Sequence, residues 1–219
     1  MMSNRDHAAL IAQQLRETDA AIVREERAFD AGLSLHPLTP AIGMEVHGID
    51  MADPTDAQAK VIWDLVLEHK VVFFRDQGHI TQEQHMAFAK RFADVGLAYG
   101  RQQSLTANPT VDEHPEILKL YSDEARPFAA ANWHSDVTWS NRPPLGSILL
   151  SRKSPEVGGD TMFADSYAHW HVLSPVLREF LEGRFATHGR AGRDEVEHPI
   201  CRTHPETGRK ALYINPTFT

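Results

Sequence analysis

The chain has 219 residues, 42% hydrophobic and 24% charged, with a formal net charge of -8, which is enough apolar material for a buried core of ordinary domain size. Basic residues are scattered and outnumbered by acidic ones, 22 against 30, which argues against the phosphate-neutralising surface of a nucleic-acid binder. No apolar run approaches the roughly 20 residues that span a bilayer, the N-terminus lacks the apolar core of a secretory signal, and the single Cys201 forms no internal disulfide, so a cytoplasmic protein without membrane contact is expected.

Residues 7–30 place Ile11, Leu15, Ile22 and Phe29 among many charges at roughly helical spacing. The pattern predicts an amphipathic helix, an extension over residues 1–33 that packs on the surface or on another subunit of a homo-oligomer. The prolines, glycines and alternation of H-P-L-T-P-A-I-G-M-E-V-H-G-I-D (36–50) predict short strands joined by turns. Asp53-Pro54 reads as an N-cap followed by proline at the first helical position, with Ala57, Val61, Leu65 and Val66 as the apolar face. K-V-V-F-F-R-D-Q (70–77) reads as a central strand, and Thr81 with Gln84 as a capping box opening a helix to about Phe92.

From residue 117 onward short apolar runs alternate with turns. Strands are predicted at 117–121, 131–139, 146–151 and 161–164, and helices at 165–173 and 174–182, the second starting at Ser174-Pro175 and stopping at Gly183. H-P-I-C-R-T-H and A-L-Y-I-N predict two closing strands around the turn P-E-T-G-R-K. Strand-rich texture with peripheral helices predicts a jelly-roll-like β core.

Thirteen histidines invite a metal hypothesis. A-N-W-H-S-D-V-T-W (131–139) carries one H-x-D, and on a strand residues two apart share a face. His134 and Asp136 would then stand side by side, gripping one metal ion or forming an ordinary polar pair. Chance alone supplies about one H-x-D in such a chain, so the motif by itself leaves the two readings balanced. The H-P-E matches at 114–116 and 204–206 read as turns, because proline disfavours a central strand. His169 and His171 fall on a predicted helix, where residues two apart do not face each other, and read as surface or packing groups. Trp133 and Trp139 read as core or pocket walls.

Five ordered stretches shift the balance: R-D-Q after an apolar strand, N-W-H-S-D-V-T-W, P-P-L-G-S-I-L-L, G-G-D-T-M-F-A-D and H-P-I-C-R-T-H-P-E-T-G-R-K-A-L-Y-I-N-P. In order and spacing they resemble the taurine dioxygenase family, Fe(II)- and 2-oxoglutarate-dependent dioxygenases on a double-stranded β-helix. The resemblance covers roughly residues 35–219 and implies a dioxygenase-like β-helix domain over 34–219, incomplete at its C-terminus. It implies an α+β to mainly β fold, a jelly roll with flanking helices. It also implies hydroxylation of a small organic acid by O2, with 2-oxoglutarate converted to succinate and CO2.

The resemblance makes His134 and Asp136 two ligands of a facial triad of two histidines and a carboxylate. It makes Thr161 the partner of the distal 2-oxoglutarate carboxylate; read alone, Thr161 is a β-branched residue after a glycine turn. The family's second ligand histidine and its 2-oxoglutarate-binding arginine lie further along, and no position here matches them. His188, His198 and His204 are the downstream histidines available, and His198 and His204 fall in the H-P-x-x-R-T-H-P stretch, which does not supply that ligand in the family. The sequence is therefore expected to be an incomplete record of a longer protein, or else an inactive fragment. The link between Ala186 and His198 is shorter than in taurine-specific members. Ala130, Ala98 and Arg101 replace their polar taurine contacts, so taurine is not the expected substrate. Arg101 or Asn132 would hold another anion: a sulfate ester, another sulfonate or an aryloxy acid. Two other readings stay open: a zinc-dependent hydrolase using the same His/Asp pair, and a non-catalytic β domain.

Overall fold

The computed structural model describes residues 20–92, 110–111, 114–123, 132–189 and 195–219. They divide into two units: the described part of residues 1–92 with Leu150–Phe163, and the described part of 93–149 with Ala164–Thr219. Among these residues the chain is α+β, with nine short strands in four small sheets.

In the first unit helix α1 (20–30) precedes the hairpin of β1 (Ser34–Pro37) and β2 (Met44–His47), which pair antiparallel from Ser34↔His47 to Pro37↔Met44. The expected apolar face of α1 is not borne out where it is described. Ile22 and Phe29 are exposed while Ala28 is buried, and Ile11 and Leu15 lie outside the described residues. A small residue brings α1 close, and Arg24–Glu68 and Arg27–Asp64 ion pairs tether it to the next helix. Gly48 requires its glycine: φ is +85° and a Cβ would lie 2.3 Å from the Gly32 carbonyl oxygen.

Helix α2 (Asp56–His69) starts two residues later than Asp53-Pro54 suggests. The Thr55 hydroxyl accepts from the Gln58 backbone N–H, and the Gln58 side chain accepts from the Thr55 N–H. This reciprocal box satisfies two orphan donors at once, which a single Asp53 cap does not. Its buried face is Ala59, Val61, Ile62 and Leu65, with Val66 packed beside it and Ala57 exposed. Strand β3 is only Val72–Phe73 and sits at the edge of the order β1-β2-β3, parallel to β2, rather than as a long central strand. Asp76 at φ 60° turns the chain out of the extended conformation. Helix α3 (Gln82–Ala89) begins at the expected Thr81/Gln84 box. Met44, Val46, Leu65, Ile80 and Phe88 close this core, and Leu150 from the later segment packs against it.

The second unit holds β4 (Thr110–Val111) with β5 (His114–Leu118), α4 (Ser166–Val172), α5 (Pro175–Leu181), β6 (Phe185–His188) with β7 (Val196–Pro199), and β8 (Cys201–Thr203) with β9 (Lys210–Leu212). The second helix carries the expected Ser174-Pro175 start, Gly183 follows at φ 73°, and Asp165 caps the first. The β8–β9 hairpin closes around the expected turn. Three predicted strands are not formed. Of the predicted strand 131–139, the described residues 132–139 end in a turn at Asp136–Trp139 with Val137 at φ 57°, incompatible with a pleat. Residues 146–151 and 161–164 belong to none of the four sheets. Their β propensity is not matched by a paired neighbour, and propensity alone makes no ladder.

Candidate metal centre

His134 and Asp136 meet although the strand expected to align them is absent. His134 Nε2 lies 3.3 Å from Asp136 Oδ1, with the side chains 28% and 48% exposed. The turn supplies the proximity: the chain reverses after Asp136, and Val137, Thr138 and Trp139 are buried beneath it. His134 Nδ1 is 2.8 Å from the Asn132 carbonyl oxygen. A carbonyl only accepts, so Nδ1 carries a proton, and Nε2 is the ring nitrogen that faces the Asp136 carboxylate. An imidazole fixed in this tautomer by a backbone carbonyl is the usual preparation for metal ligation. One neutral nitrogen and one carboxylate fit two corners of a divalent-metal site.

The final turn of the chain packs under this loop. Asn215 Oδ1 accepts from the backbone N–H groups of Thr217 and Phe218, folding Asn215–Thr219 back on itself. Its Nδ2 lies 3.4 Å from the buried Thr138 hydroxyl, and the Thr217 hydroxyl donates to the Trp133 carbonyl at 3.2 Å. The Phe218 ring stands edge-on to both His134, at 6.0 Å, and Trp139, at 4.5 Å. From β7, His198 Nε2–H donates to the Ser140 carbonyl at 3.0 Å. Sequence reasoning did not assign roles to Asn215, Phe218 and His198. N-P-T-F-T was the available signal, since an asparagine before proline favours a turn built on its own side chain.

The remaining candidates are placed as follows, or lie outside the described residues. Thr161 lies in the other unit, exposed in a coil segment after the Gly158-Gly159 turn. Asn132 is exposed and contributes its carbonyl to His134. Arg101, Ala98 and Ala130 lie outside the described residues. His169 and His171 are exposed on α4; Trp139 is buried and Trp133 is 52% exposed. His188 is fully buried, its ring stacked on Tyr213 at 5.5 Å and 5.2 Å from His198. Burial holds its imidazole below the usual histidine range, and neighbouring His198 adds to the effect. His204 Nδ1 accepts from the Glu206 and Thr207 N–H groups of the β8–β9 turn. Among the described residues no group of three or more His, Cys, Asp or Glu side chains converges as a metal site.

The first unit carries a separate polar cleft of about 320 Å³ beside His47, Asp50, Arg75 and His79. Its ions are mutually satisfied: Arg75 pairs with Glu45 at 2.8 Å, and His79 with Asp50 at 2.9 Å. The Asp50 hydrogen bond raises the His79 pKa, while the Ala52 N–H and then His79 lower that of Asp50.

Comparison with known proteins gives one consistent family. A sulfate ester dioxygenase of Pseudomonas putida, named as alpha-ketoglutarate-dependent, is 30% identical over 222 residues, covering 90% of this chain and 70% of the relative. An alkylsulfatase of Acinetobacter baylyi is 31% identical over 212 residues, covering 85% of this chain and 64% of the relative. The crystal structure of a taurine dioxygenase from Burkholderia xenovorans superposes with a TM-score of 0.69 at 33% identity, covering 85% of this chain and 65% of that one. The chain spans from 50% to 70% of the length of the curated relatives it matches. Residues 34–219 match the family model for taurine catabolism dioxygenases of the TauD, TfdA family, and the chain belongs to that family.

Proposed function

We propose that the protein is an Fe(II)- and 2-oxoglutarate-dependent dioxygenase that hydroxylates a small anionic organic acid, with sulfate esters, sulfonates other than taurine and aryloxy acids as the substrate class. The observation that carries this reading is the His134/Asp136 pair, with His134 held by Asn132 in the tautomer that ligates through Nε2. The relative named for sulfate esters supports the substrate class.

In this reading His134 Nε2 and the Asp136 carboxylate hold the metal. Fe(II), when bound there, supplies the redox chemistry by which O2 and 2-oxoglutarate yield succinate, CO2 and a hydroxylated substrate. The Asp136 carboxylate offsets the metal's charge, and the Asn132 carbonyl keeps the His134 ring from turning. The Thr161 hydroxyl bonds the distal carboxylate of 2-oxoglutarate, and Arg101 with Asn132 holds the anionic end of the substrate. The family domain is a jelly roll over residues 34–219, residues 1–33 are a helical extension, and the enzyme works in the cytoplasm as a homo-oligomer.

Succinate formation and O2 consumption by the intact natural protein test this directly. A medium-chain alkyl sulfate should give Fe(II)-dependent succinate at least about tenfold faster than taurine, a difference of about 1.4 kcal/mol in transition-state stabilisation. Efficient taurine turnover would overturn the substrate assignment. Succinate formation unaffected by His134→Ala would overturn the site.

A further inference from the structure

We infer that His198 is a positioning residue for the metal pair: it holds the Asp136–Trp139 turn in the conformation that keeps Asp136 facing His134. This rests on the metal reading of that pair and extends it to a residue 62 positions away from Asp136 in number, on β7.

The turn needs an external hold. Val137 sits at φ 57°, a conformation in which a β-branched residue is a genuine outlier. Such strain persists only where the surroundings over-determine it. The Ser140 N–H donates to the Val137 carbonyl at 3.0 Å, so Ser140 closes the turn. The Ser140 carbonyl then accepts from His198 Nε2–H at 3.0 Å. This is shorter than the Thr217–Trp133 contact of 3.2 Å and the Asn215–Thr138 contact of 3.4 Å. His198 is itself buried, 6% exposed, with its ring edge-on to His188 at 5.2 Å and to Tyr213 at 5.4 Å. A buried ring clamped by two others fixes the donor, the donor fixes Ser140, and Ser140 closes the turn on which Asp136 rides. Without the donor, Val137 relaxes toward negative φ and the Asp136 carboxylate swings out of line with His134 Nε2.

The test compares anaerobic Mn(II) affinity in the intact natural protein, its His198→Phe variant, which keeps a ring but loses the donor, and His198→Gln, which keeps an amide N–H donor. His198→Phe should bind Mn(II) about tenfold to a hundredfold more weakly, the range typical of partners that orient metal ligands. His198→Gln should stay within about threefold of the wild type. A role confined to core packing would lower the melting temperature of His198→Phe while leaving the affinity of the folded protein unchanged, and that result overturns the inference. If the wild-type protein itself takes up no Mn(II), the metal reading fails and the inference falls with it; equal binding by wild type and His198→Phe sinks the inference alone. Should His198→Phe not fold, the wild-type protein still decides. Exchange of the His198 ring N–H with solvent should slow on adding Zn(II), and an unchanged rate overturns the inference.

Discussion

At the scale of single residues, the chemistry of the candidate site comes from one tautomer. The Asn132 carbonyl accepts from His134 Nδ1–H, leaving Nε2 to face Asp136 at 3.3 Å. A second histidine offers a cleaner test of local electrostatics. His79 is raised by its hydrogen bond to Asp50, so its contribution to stability is fully present below the ordinary histidine pKa and is lost as pH rises through the folded value. In NMR titrations His79 should titrate above the usual value of about 6.5, and Asp50→Asn should return it there. His188 has the opposite sign. Its folded value is lowered by burial, so the unfolded chain binds more protons, and stability falls as pH drops from the ordinary histidine value through the folded one. His188→Gln should flatten that acid limb of the stability profile; an unchanged limb would assign it to other groups. Gly48→Ala should cost about 1–3 kcal/mol through its left-handed φ alone, with the 2.3 Å approach to Gly32 adding to it, read as a lower urea midpoint.

At the scale of elements, the helices are governed by their ends. Thr55→Ala and Thr81→Ala each remove a hydroxyl that accepts from the third helical N–H and should each lower stability by about 1 kcal/mol. Leu65→Ala, at a fully buried position of α2, should cost about 2–5 kcal/mol. Both effects are measurable by urea denaturation. The Thr81/Gln84 box and the Ser174-Pro175 start were legible in the sequence because capping is local, completed within three or four residues. The start of α2 was misplaced because Asp53-Pro54 and Thr55/Gln58 compete within three positions, and only the side-chain geometry decides between them. Strands were harder. Residues 146–151 and 161–164 have strand composition, but a ladder needs a partner that composition does not name. β6 (Phe185–His188) escaped notice for the reverse reason: its pairing with β7 outweighs an undistinguished local sequence. The His134/Asp136 pair was legible although the strand behind it was not, since two residues that close in sequence meet in several conformations. Asn215, Phe218 and His198 reach the same loop from 58 to 84 residues away, and no local pattern signals such contacts.

At the scale of the whole molecule, the chain belongs to its family over residues 34–219, and these 219 residues carry a formal charge of -8, which bears on the approach of the proposed anionic substrate. No described helix is long and apolar enough to cross a membrane. The net field repels anions at low ionic strength, where the Debye length is about 30 Å, and is screened at physiological salt, where it is about 8 Å. Raising salt between those limits should therefore lower the KM for an alkyl sulfate; a rise would mean that local cationic groups, Arg101 among the candidates, dominate the encounter. The metal pair is the claim on which the functional reading turns, and anaerobic equilibrium dialysis of Fe(II) against the intact natural protein tests it most directly. Wild-type protein should retain about one Fe(II) per chain, tightened by 2-oxoglutarate, and both His134→Ala and Asp136→Ala should abolish retention while remaining folded. Equal retention by the wild type and both variants would contradict the assignment of His134 and Asp136 as ligands.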